Sequence, residues 1–278
     1  MDLHDNEIIL RTFAKLDRLL DRYVPSATRD ADFDASQAYV WNGERKALSA
    51  VARPVRIDPA QLIGIDRQKQ ELLLNTRRFL DIGGGNNVLL WGERGTGKSS
   101  LVKSLLSAFA GTPLRIVQVL KHDILTIQYF YEIAVHHSAH RFILFIDDLS
   151  FEEGQMDYKE MKTIMDGGLE QIPDNILFYA TSNRKHLIPT RFSDNDDVVR
   201  PSDTIEEKVS LADRFGLRLG FYHFDQETYF AIVDLYARKA GIRTPPVTLH
   251  QDAVRWALEA GSRNGRTAEQ FVRSLQES

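Results

Sequence analysis

A glycine-rich stretch around residue 92 has the composition of a phosphate-binding loop. Residues 87–101 read NVLLWGERGTGKSSL, where a short apolar run precedes the pattern G-x-x-x-x-G-K-S and a helical pattern follows it. In such a loop the glycines let backbone N–H groups turn toward phosphate oxygens, Lys98 places a positive charge near the outer phosphates, and Ser99 offers a hydroxyl to Mg²⁺. The helix that begins there directs its positive dipole end at the same anion. The stretch predicts a nucleotide site formed by Gly92, Glu93, Arg94, Gly95, Thr96, Gly97, Lys98, Ser99 and Ser100.

Two aspartates follow a second apolar run, in FILFIDDLSFEEG at residues 142–154. A fully apolar run is typical of a central parallel strand, and ligands bind at the carboxyl ends of such strands. This position predicts that Asp147 holds the magnesium shell. Asp148 is the candidate base for water, although it is one methylene shorter than Glu, and a misplacement of about 1 Å can cost about 10²-fold in rate. Glu152 and Glu153 are interpreted as a solvated acidic turn.

Three further polar residues have ordinary structural interpretations when only their local sequence is considered. Asn183 follows the apolar run ILFYATS and could orient a water molecule or simply form a turn. Arg214 is near the end of a predicted helix, where a basic residue interacts favourably with the helix dipole. Arg266 is at the start of the last predicted helix, where it could be an ordinary surface arginine.

Alternating strand and helix patterns predict an α/β fold with a parallel sheet covered by helices. The predicted strands are residues 87–91, 114–119, 142–146, 176–181 and 219–224, and the helices between them are 66–81, 98–109, 126–137, 158–167 and 206–215. Three helical patterns follow, at 226–239, 250–260 and 266–276, and predict a small all-helical lid.

The remaining amino-terminal part is predicted to be separate from this sheet. Apolar residues at spacings of three and four predict an amphipathic helix over residues 9–24, docked on the protein's own core, and residues 26–59 are interpreted as an extended or irregular arm. The expected organisation is an arm at 1–59, an α/β nucleotide-binding domain at 60–224 and a helical lid at 225–278.

Composition restricts the setting in which this site would work. The chain has 278 residues, no cysteine, a formal net charge of -4 and a hydrophobic fraction of 43%. These values are ordinary for a soluble globular protein, and the absence of cysteine excludes disulfides and thiolate chemistry. No apolar run approaches a membrane span, and the amino terminus MDLHDNEIIL lacks the features of a signal peptide. We expect a cytoplasmic protein without a membrane partner.

The order of these motifs resembles the AAA+ ATPases, and most of all a bacterial family of predicted AAA+ ATPases of undefined specific role. The resemblance covers essentially the whole chain, through LIGIDRQKQELLLNT, NVLLWGERGTGKSSLVKSLL, LFIDDLSFEEG, GGLEQIPDNILFYATSNRKHLIPTRFSD, EEKVSLADRFGLRLGFYHFDQETYFAIV and RTAEQFV. It implies a P-loop AAA+ domain with ATP and Mg²⁺ as cofactors. In that arrangement residues 92–99 are the Walker A loop, Asp147 is the Walker B residue on the metal, and Asn183 is the sensor that positions water.

The resemblance also implies residues around the rim of the site. Arg214 matches the arginine that neighbouring AAA+ subunits insert into each other's sites, with Arg191 as the alternative. Arg266 matches the lid sensor that touches the outer phosphate, and the adenine would lie near Leu62 and Ile63. An arginine supplied in trans contributes about 10³ to 10⁵ in rate to P-loop enzymes, so the resemblance implies a homo-oligomeric ring or arc promoted by ATP.

The expected activity is hydrolysis of ATP to ADP and phosphate in an oligomer that remodels or loads an unidentified protein client. The segment LKHDILTIQYFYEIA lacks the aromatic–apolar–glycine loop of threading unfoldases, which argues against that mode of action. One alternative is an assembly switch that binds ATP and turns it over negligibly. Another is a helicase-loader-like module bound to nucleic acid through the basic clusters at 53–56, 67–69 and 184–185.

Overall fold

The predicted motifs lie at the carboxyl ends of strands in a mostly parallel, seven-stranded sheet. The structure is a computed structural model that describes residues 32–149, 157–167, 171–183 and 211–276. Within them the strands are β1 (Ala38–Asn42), β2 (Ala47–Ala50), β3 (Val88–Gly92), β4 (Leu114–Gln118), β5 (Arg141–Ile146), β6 (Ile176–Ser182) and β7 (Leu217–Phe221). The α-helices are α1 (Asp66–Ile82), α2 (Lys98–Ala108), α3 (Gln128–His136), α4 (Asp157–Asp166), α5 (Gln226–Ala240), α6 (Pro246–Glu259) and α7 (Gly265–Ser274), with short 3-10 helices at Pro59–Gln61 and Lys121–Thr126.

The strand order is β2-β1-β4-β5-β6-β3-β7. Every neighbouring pair is parallel except β1 and β2, which form an antiparallel hairpin. The chain leaves β3 and skips over two strands to reach β4, so the connection after β3 lies at a point where the strand order reverses. In open parallel sheets ligands bind outside the carboxyl ends of strands at such a point. The predicted α/β fold class is confirmed, and it is consistent with a P-loop AAA+ domain.

The sheet contains two strands that the sequence did not predict. All five predicted strands are present, with bounds that differ by one to three residues. The interpretation of residues 26–59 as an extended or irregular arm, separate from the sheet, does not hold for β1 and β2, because β1 pairs in parallel with β4 and extends the sheet. Trp41 anchors this addition: its ring is fully buried and its Nε1 donates a 2.9 Å hydrogen bond to Thr126 Oγ1. Strands of four or five residues give little periodicity to detect.

Helices α5 to α7 enclose a hydrophobic cluster of their own, which includes Tyr229, Val233, Leu249, Ala253 and Phe271. Two other clusters cover the two faces of the sheet. Asp225 caps α5 by accepting a hydrogen bond from the N–H of Thr228, and Asn264 caps α7 in the same way. The three predicted carboxyl-terminal helices are therefore present, although the boundaries of the three proposed domains stay a prediction.

Some predicted features lie outside the described residues. They are the helix at 9–24, the acids Glu152 and Glu153, the alternative arginine Arg191 and most of the helix at 206–215. Within the ranges that are described, none of the helices combines the length and apolar character that crossing a bilayer requires.

Candidate functional site

A cleft of about 650 Å³ lies at the carboxyl edge of the sheet, between the loop after β3, the ends of β5 and β6, and helix α7. Most of the predicted site residues line it, from the sheet domain and from the helical part alike. These are Leu62, Ile63, Arg94, Gly95, Thr96, Gly97, Lys98, Ser99, Ser100, Asp147, Asp148, Asn183 and Arg266. Gly92, Glu93 and Arg214 do not line the cleft.

Two glycines shape the loop after β3. Gly92 has φ of 127°, and a Cβ placed there would lie 1.9 Å from the carbonyl oxygen of Phe221. This close approach lets the N–H of Glu93 donate a 3.0 Å hydrogen bond to the same carbonyl, which fixes the start of the loop against β7. Gly95 has φ of 73°, and a Cβ at this position would lie 2.5 Å from the side chain of Asn264. No side chain is tolerated at either position without movement of the surrounding atoms.

Gly92→Ala is expected to lower the free energy of unfolding by about 3 kcal/mol or more, because it adds a backbone clash to the strain of a positive φ. Gly111→Ala is the matched control, since Gly111 also has positive φ (74°) but nothing within 4 Å of a new Cβ. That control is expected to cost only about 1–2 kcal/mol. Urea unfolding followed by circular dichroism measures both, and equal costs would contradict the role given to the Phe221 contact.

Lys98 is held inside the loop with its charge turned toward main-chain oxygens. Its Nζ donates to the carbonyl oxygens of Gly92 at 2.8 Å and Glu93 at 2.5 Å, and the residue is only 6% exposed. Burial lowers the pKa of the Lys98 ammonium below 10.5, and the nearby carboxylates of Asp148, Glu93 and Asp147 oppose that shift. Because the partners of this cation are neutral carbonyls, an anion entering the cleft can replace them with a stronger interaction.

Asp147 and Ser99 form the oxygen-rich part of the cleft. Ser99 Oγ donates a 2.6 Å hydrogen bond to Asp147 Oδ1, and Thr181 Oγ1 donates another to the same oxygen at 2.6 Å. Hydroxyl and carboxylate oxygens suit Mg²⁺, which usually takes one or two protein ligands together with phosphates and water. In the described part of the chain, no group of three or more His, Asp or Glu could hold a metal by itself. The donor set thus fits a magnesium ion bound together with a phosphate ligand.

Asp148 and Asn183 meet on the wall of the cleft. Asn183 Nδ2 donates a 2.5 Å hydrogen bond to Asp148 Oδ1, and Asp148 is exposed to the solvent of the cleft. The backbone of Asp148 has φ of 54°, in the left-handed region that few residues other than glycine adopt. The second carboxylate oxygen, Oδ2, has no hydrogen bond within the described ranges, so it can accept a proton from a bound water.

Helix α7 contacts the loop after β3 directly. The N–H of Gly265 donates a 2.9 Å hydrogen bond to the carbonyl oxygen of Gly95. Arg266, the next residue, lines the cleft beside Glu269, and within the described residues it forms no ion pair. Ile65, Phe224, Ile232 and Tyr236 line the cleft together with Leu62 and Ile63 and give it an apolar side that suits a planar base.

Arg214 does not line the cleft, and its side chain is hydrogen-bonded to an acidic residue of α4. Its Nε and Nη2 donate two 2.9 Å hydrogen bonds to the two carboxylate oxygens of Asp166 at the end of α4. These hydrogen bonds raise the pKa of the guanidinium further above its ordinary value. The prediction that Arg214 acts on a neighbouring subunit stays a prediction.

Sequence reasoning missed several residues of the cleft. Thr181 and Glu269 line the cleft but were not predicted as site residues, and neither was Asn264, which lies beside Gly95. A hydroxyl at the carboxyl end of an apolar strand was a usable signal for Thr181. No local pattern points to Asn264, because its contact with Gly95 joins residues far apart in the chain.

Most of the described basic residues in the clusters proposed to bind nucleic acid form ion pairs or hydrogen bonds within the chain. Arg67 pairs with Glu71 at 2.7 Å, and Lys69 pairs with Asp66 at 2.7 Å. Arg56 donates hydrogen bonds to the carbonyl oxygen of Leu106 and to Gln37. Residues 184–185 lie outside the described ranges. These contacts give no specific support to a nucleic-acid interface.

Comparison with known proteins gives two kinds of match. The chain is 26% identical over 280 residues to a protein named Lon protease from Clostridioides difficile, covering 84% of this chain and 35% of that protein. It is 35% identical over 79 residues to Lon protease 1 of Syntrophotalea carbinolica, covering 25% of this chain and 10% of that protein. The chain therefore spans about a third or less of the length of these relatives. A family model described as "Protein of unknown function (DUF815)" matches residues 34–278, and the chain belongs to that family.

Proposed function

We propose that this protein binds ATP with Mg²⁺ in the cleft and hydrolyses it to ADP and phosphate, as a homo-oligomer that remodels or loads a protein client. One observation carries the proposal: the buried Lys98, the Ser99–Asp147 pair and the Asp148–Asn183 pair face one cleft, from the start of α2 and from the segments that follow β5 and β6. A phosphate-binding loop, a metal carboxylate and a base beside a water-orienting amide are the groups that hydrolysis of a phosphoanhydride needs. The distant similarity to proteins named Lon protease agrees with this ATPase assignment. The match covers 35% of that relative, which is too little to assign proteolysis to this chain.

Each residue has a defined task in this proposal. Lys98 contacts the outer phosphates and leaves its two carbonyl partners. Ser99 Oγ and Asp147 Oδ2 would hold Mg²⁺, which neutralises charge on the phosphate oxygens when bound. Asn183 orients the attacking water. As the water oxygen bonds to the outermost phosphorus, the bond from that phosphorus to the bridging oxygen breaks, ADP leaves with the electron pair, and Asp148 Oδ2 takes the proton of the water. Arg266 approaches the same phosphate from the lid.

Nucleotide binding tests the proposal before any turnover is measured. The full chain is titrated with ATP or with GTP by calorimetry, once in the presence of Mg²⁺ and once in the presence of EDTA. We expect ATP to bind more tightly with Mg²⁺ than without, and GTP to bind more weakly than ATP. Absence of ATP binding at roughly millimolar nucleotide, near the upper range of typical KM values, would remove the proposal.

The assembly part of the proposal has a separate test with two inactive variants. Lys98→Ala removes a cation from the site but keeps Arg214, whereas Arg214→Ala keeps the site. We expect Arg214→Ala to lose about 10³-fold or more in ATP turnover, and a mixture of the two variants to recover activity at mixed interfaces. Arg218→Ala is the control, since Arg218 is a neighbouring exposed arginine that pairs with Asp213. An unchanged rate in Arg214→Ala would contradict an arginine in trans.

A second function is favoured by one observation at the same site. Asp148 Oδ1 is occupied by Asn183 at 2.5 Å, and the acid is shorter than Glu. An ATP-dependent assembly switch with negligible turnover would bind nucleotide through the same loop but gain little from Asp148 as a base. Substitution of Asp148, described in the Discussion, separates the two functions.

A further inference from the structure

Thr181 contacts three consecutive residues at the end of β5, although it belongs to the neighbouring strand β6. Its Oγ1 donates a 2.6 Å hydrogen bond to Asp147 Oδ1 and accepts a 2.9 Å hydrogen bond from the N–H of Asp148. Its carbonyl oxygen accepts a 2.7 Å hydrogen bond from the N–H of Leu149. The residue is 2% exposed, so little solvent competes for these hydrogen bonds. One threonine therefore holds the whole turn that carries the two candidate catalytic acids.

The two side-chain hydrogen bonds use the one proton of the hydroxyl and one of its two lone pairs. A hydroxyl has one proton to donate and lone pairs to accept, and here the proton goes to a carboxylate and a lone pair receives an amide proton. Serine can make the same pair of bonds, but valine, which has nearly the same shape as threonine, can make neither. A buried group deprived of its partner is costly, so the turn would rearrange without the hydroxyl.

The bond to the Asp148 N–H supports an unusual backbone conformation. Asp148 has φ of 54°, which side chains other than glycine rarely adopt. With the N–H fixed by Thr181, the Asp148 carboxylate is directed at Asn183 and faces the cleft. Release of that N–H would let the turn return to an ordinary conformation and move the acid away.

The bond to Asp147 acts on the other acid. Ser99 and Thr181 both donate to Oδ1, and the described residues donate no hydrogen bond to Oδ2. When Ser99 turns its hydroxyl toward a metal, Thr181 is the donor that still fixes Oδ1 and keeps Oδ2 directed at the cleft. Thr181 also lies opposite Leu90 of β3, so it joins the strand that carries the acids to the strand that leads into the phosphate loop.

We propose that Thr181 is a positioning residue that orients Asp147 and Asp148 for the metal-bound nucleotide. This inference rests on the proposed function. It assigns Thr181 no contact with the nucleotide: Thr181 acts through the two aspartates, and its effect is on the use of Mg²⁺ more than on the affinity of the loop for phosphate.

The test compares Thr181→Val, which removes the hydroxyl at constant shape, with Thr181→Ser, which keeps it. Binding of a fluorescent ATP analogue to the full chain is measured in EDTA and across a titration of Mg²⁺. In Thr181→Val we expect the half-saturating Mg²⁺ concentration to rise about 10- to 100-fold, the usual cost of losing a partner of a metal ligand. Binding in EDTA is expected to be unchanged, and Thr181→Ser is expected to behave as the wild type.

Each of the other outcomes contradicts either the role of Thr181 or the proposed function. A wild-type response to Mg²⁺ in Thr181→Val would overturn the role of Thr181 and leave the proposed function in place. Equal losses in Thr181→Val and Thr181→Ser would reduce the residue to a packing role and overturn the inference. If the wild type binds no nucleotide, the proposed function is overturned together with the inference. Thermal unfolding is measured for each variant, and Thr181→Ala, which cannot clash, replaces the valine variant if that one does not fold.

Discussion

Lys98→Ala is expected to lower ATP turnover by about 10² to 10³-fold or more, because it removes the buried cation that the proposed function places on the outer phosphates. In the structure Lys98 is 6% exposed and its Nζ donates to two neutral backbone carbonyls, which a bound phosphate can replace with a stronger interaction. Electrostatic stabilisation is strong where water is excluded. Release of phosphate from ATP, followed with and without Mg²⁺, measures the effect.

The matched control for this variant is Lys162→Ala, on α4 and away from the cleft. It removes the same charge from the protein and is expected to leave turnover unchanged. A comparable loss in both variants would indicate a general effect of charge or folding. If Lys98→Ala retains wild-type turnover, the phosphate-loop assignment itself is wrong.

Asp148→Asn is expected to lower turnover by about 10²- to 10⁴-fold, which is the usual contribution of a general base. The amide has the same size and can still contact Asn183, but it cannot accept the proton of water. Nucleotide affinity is expected to be unchanged, because the loop and Asp147 are intact. Turnover and the affinity for the ATP analogue are measured on the same preparation.

Asp148→Glu then separates hydrolysis from an assembly switch. The left-handed backbone at Asp148 and its 2.5 Å contact with Asn183 fix the reach of the shorter acid, so a longer side chain is expected to misplace the carboxylate and lower turnover. A large gain in Asp148→Glu, together with no loss in Asp148→Asn, would instead identify a protein that binds ATP and barely hydrolyses it.

The sequence predicts those parts of the site that a local segment forms alone. The predicted phosphate loop consists of a strand, spaced glycines with Lys98, and a helix, all within residues 87–109. Its geometry therefore follows from the local sequence pattern. The acid pair was also predictable, because a fully apolar strand has a known place in a parallel sheet. The side chains of Asp147 and Lys98 line the same cleft as a result.

Contacts between distant segments could not be predicted in this way. Thr181 donates a hydrogen bond to Asp147, which lies 34 residues earlier in the chain, at the end of the neighbouring strand. Nothing near Thr181 in the sequence indicates that partner. The pairing of Arg214 with Asp166 spans 48 residues. The hairpin of β1 and β2 was missed because its strands are short and its burial depends on β4. Each of these depends on how the sheet brings strands together.

The hydrogen bond between Gly265 and Gly95 couples movement of the loop after β3 to movement of helix α7. It is formed by main-chain atoms, so substitutions of side chains elsewhere in the lid leave it in place. Gly265 is the first residue of α7, a stiff rod of 10 residues that is about 15 Å long at 1.5 Å per residue. A rotation of about 5° at that joint moves the far end of the rod by about 1.3 Å for this length. A small rotation of the loop therefore becomes a displacement of more than an ångström at the far end of α7.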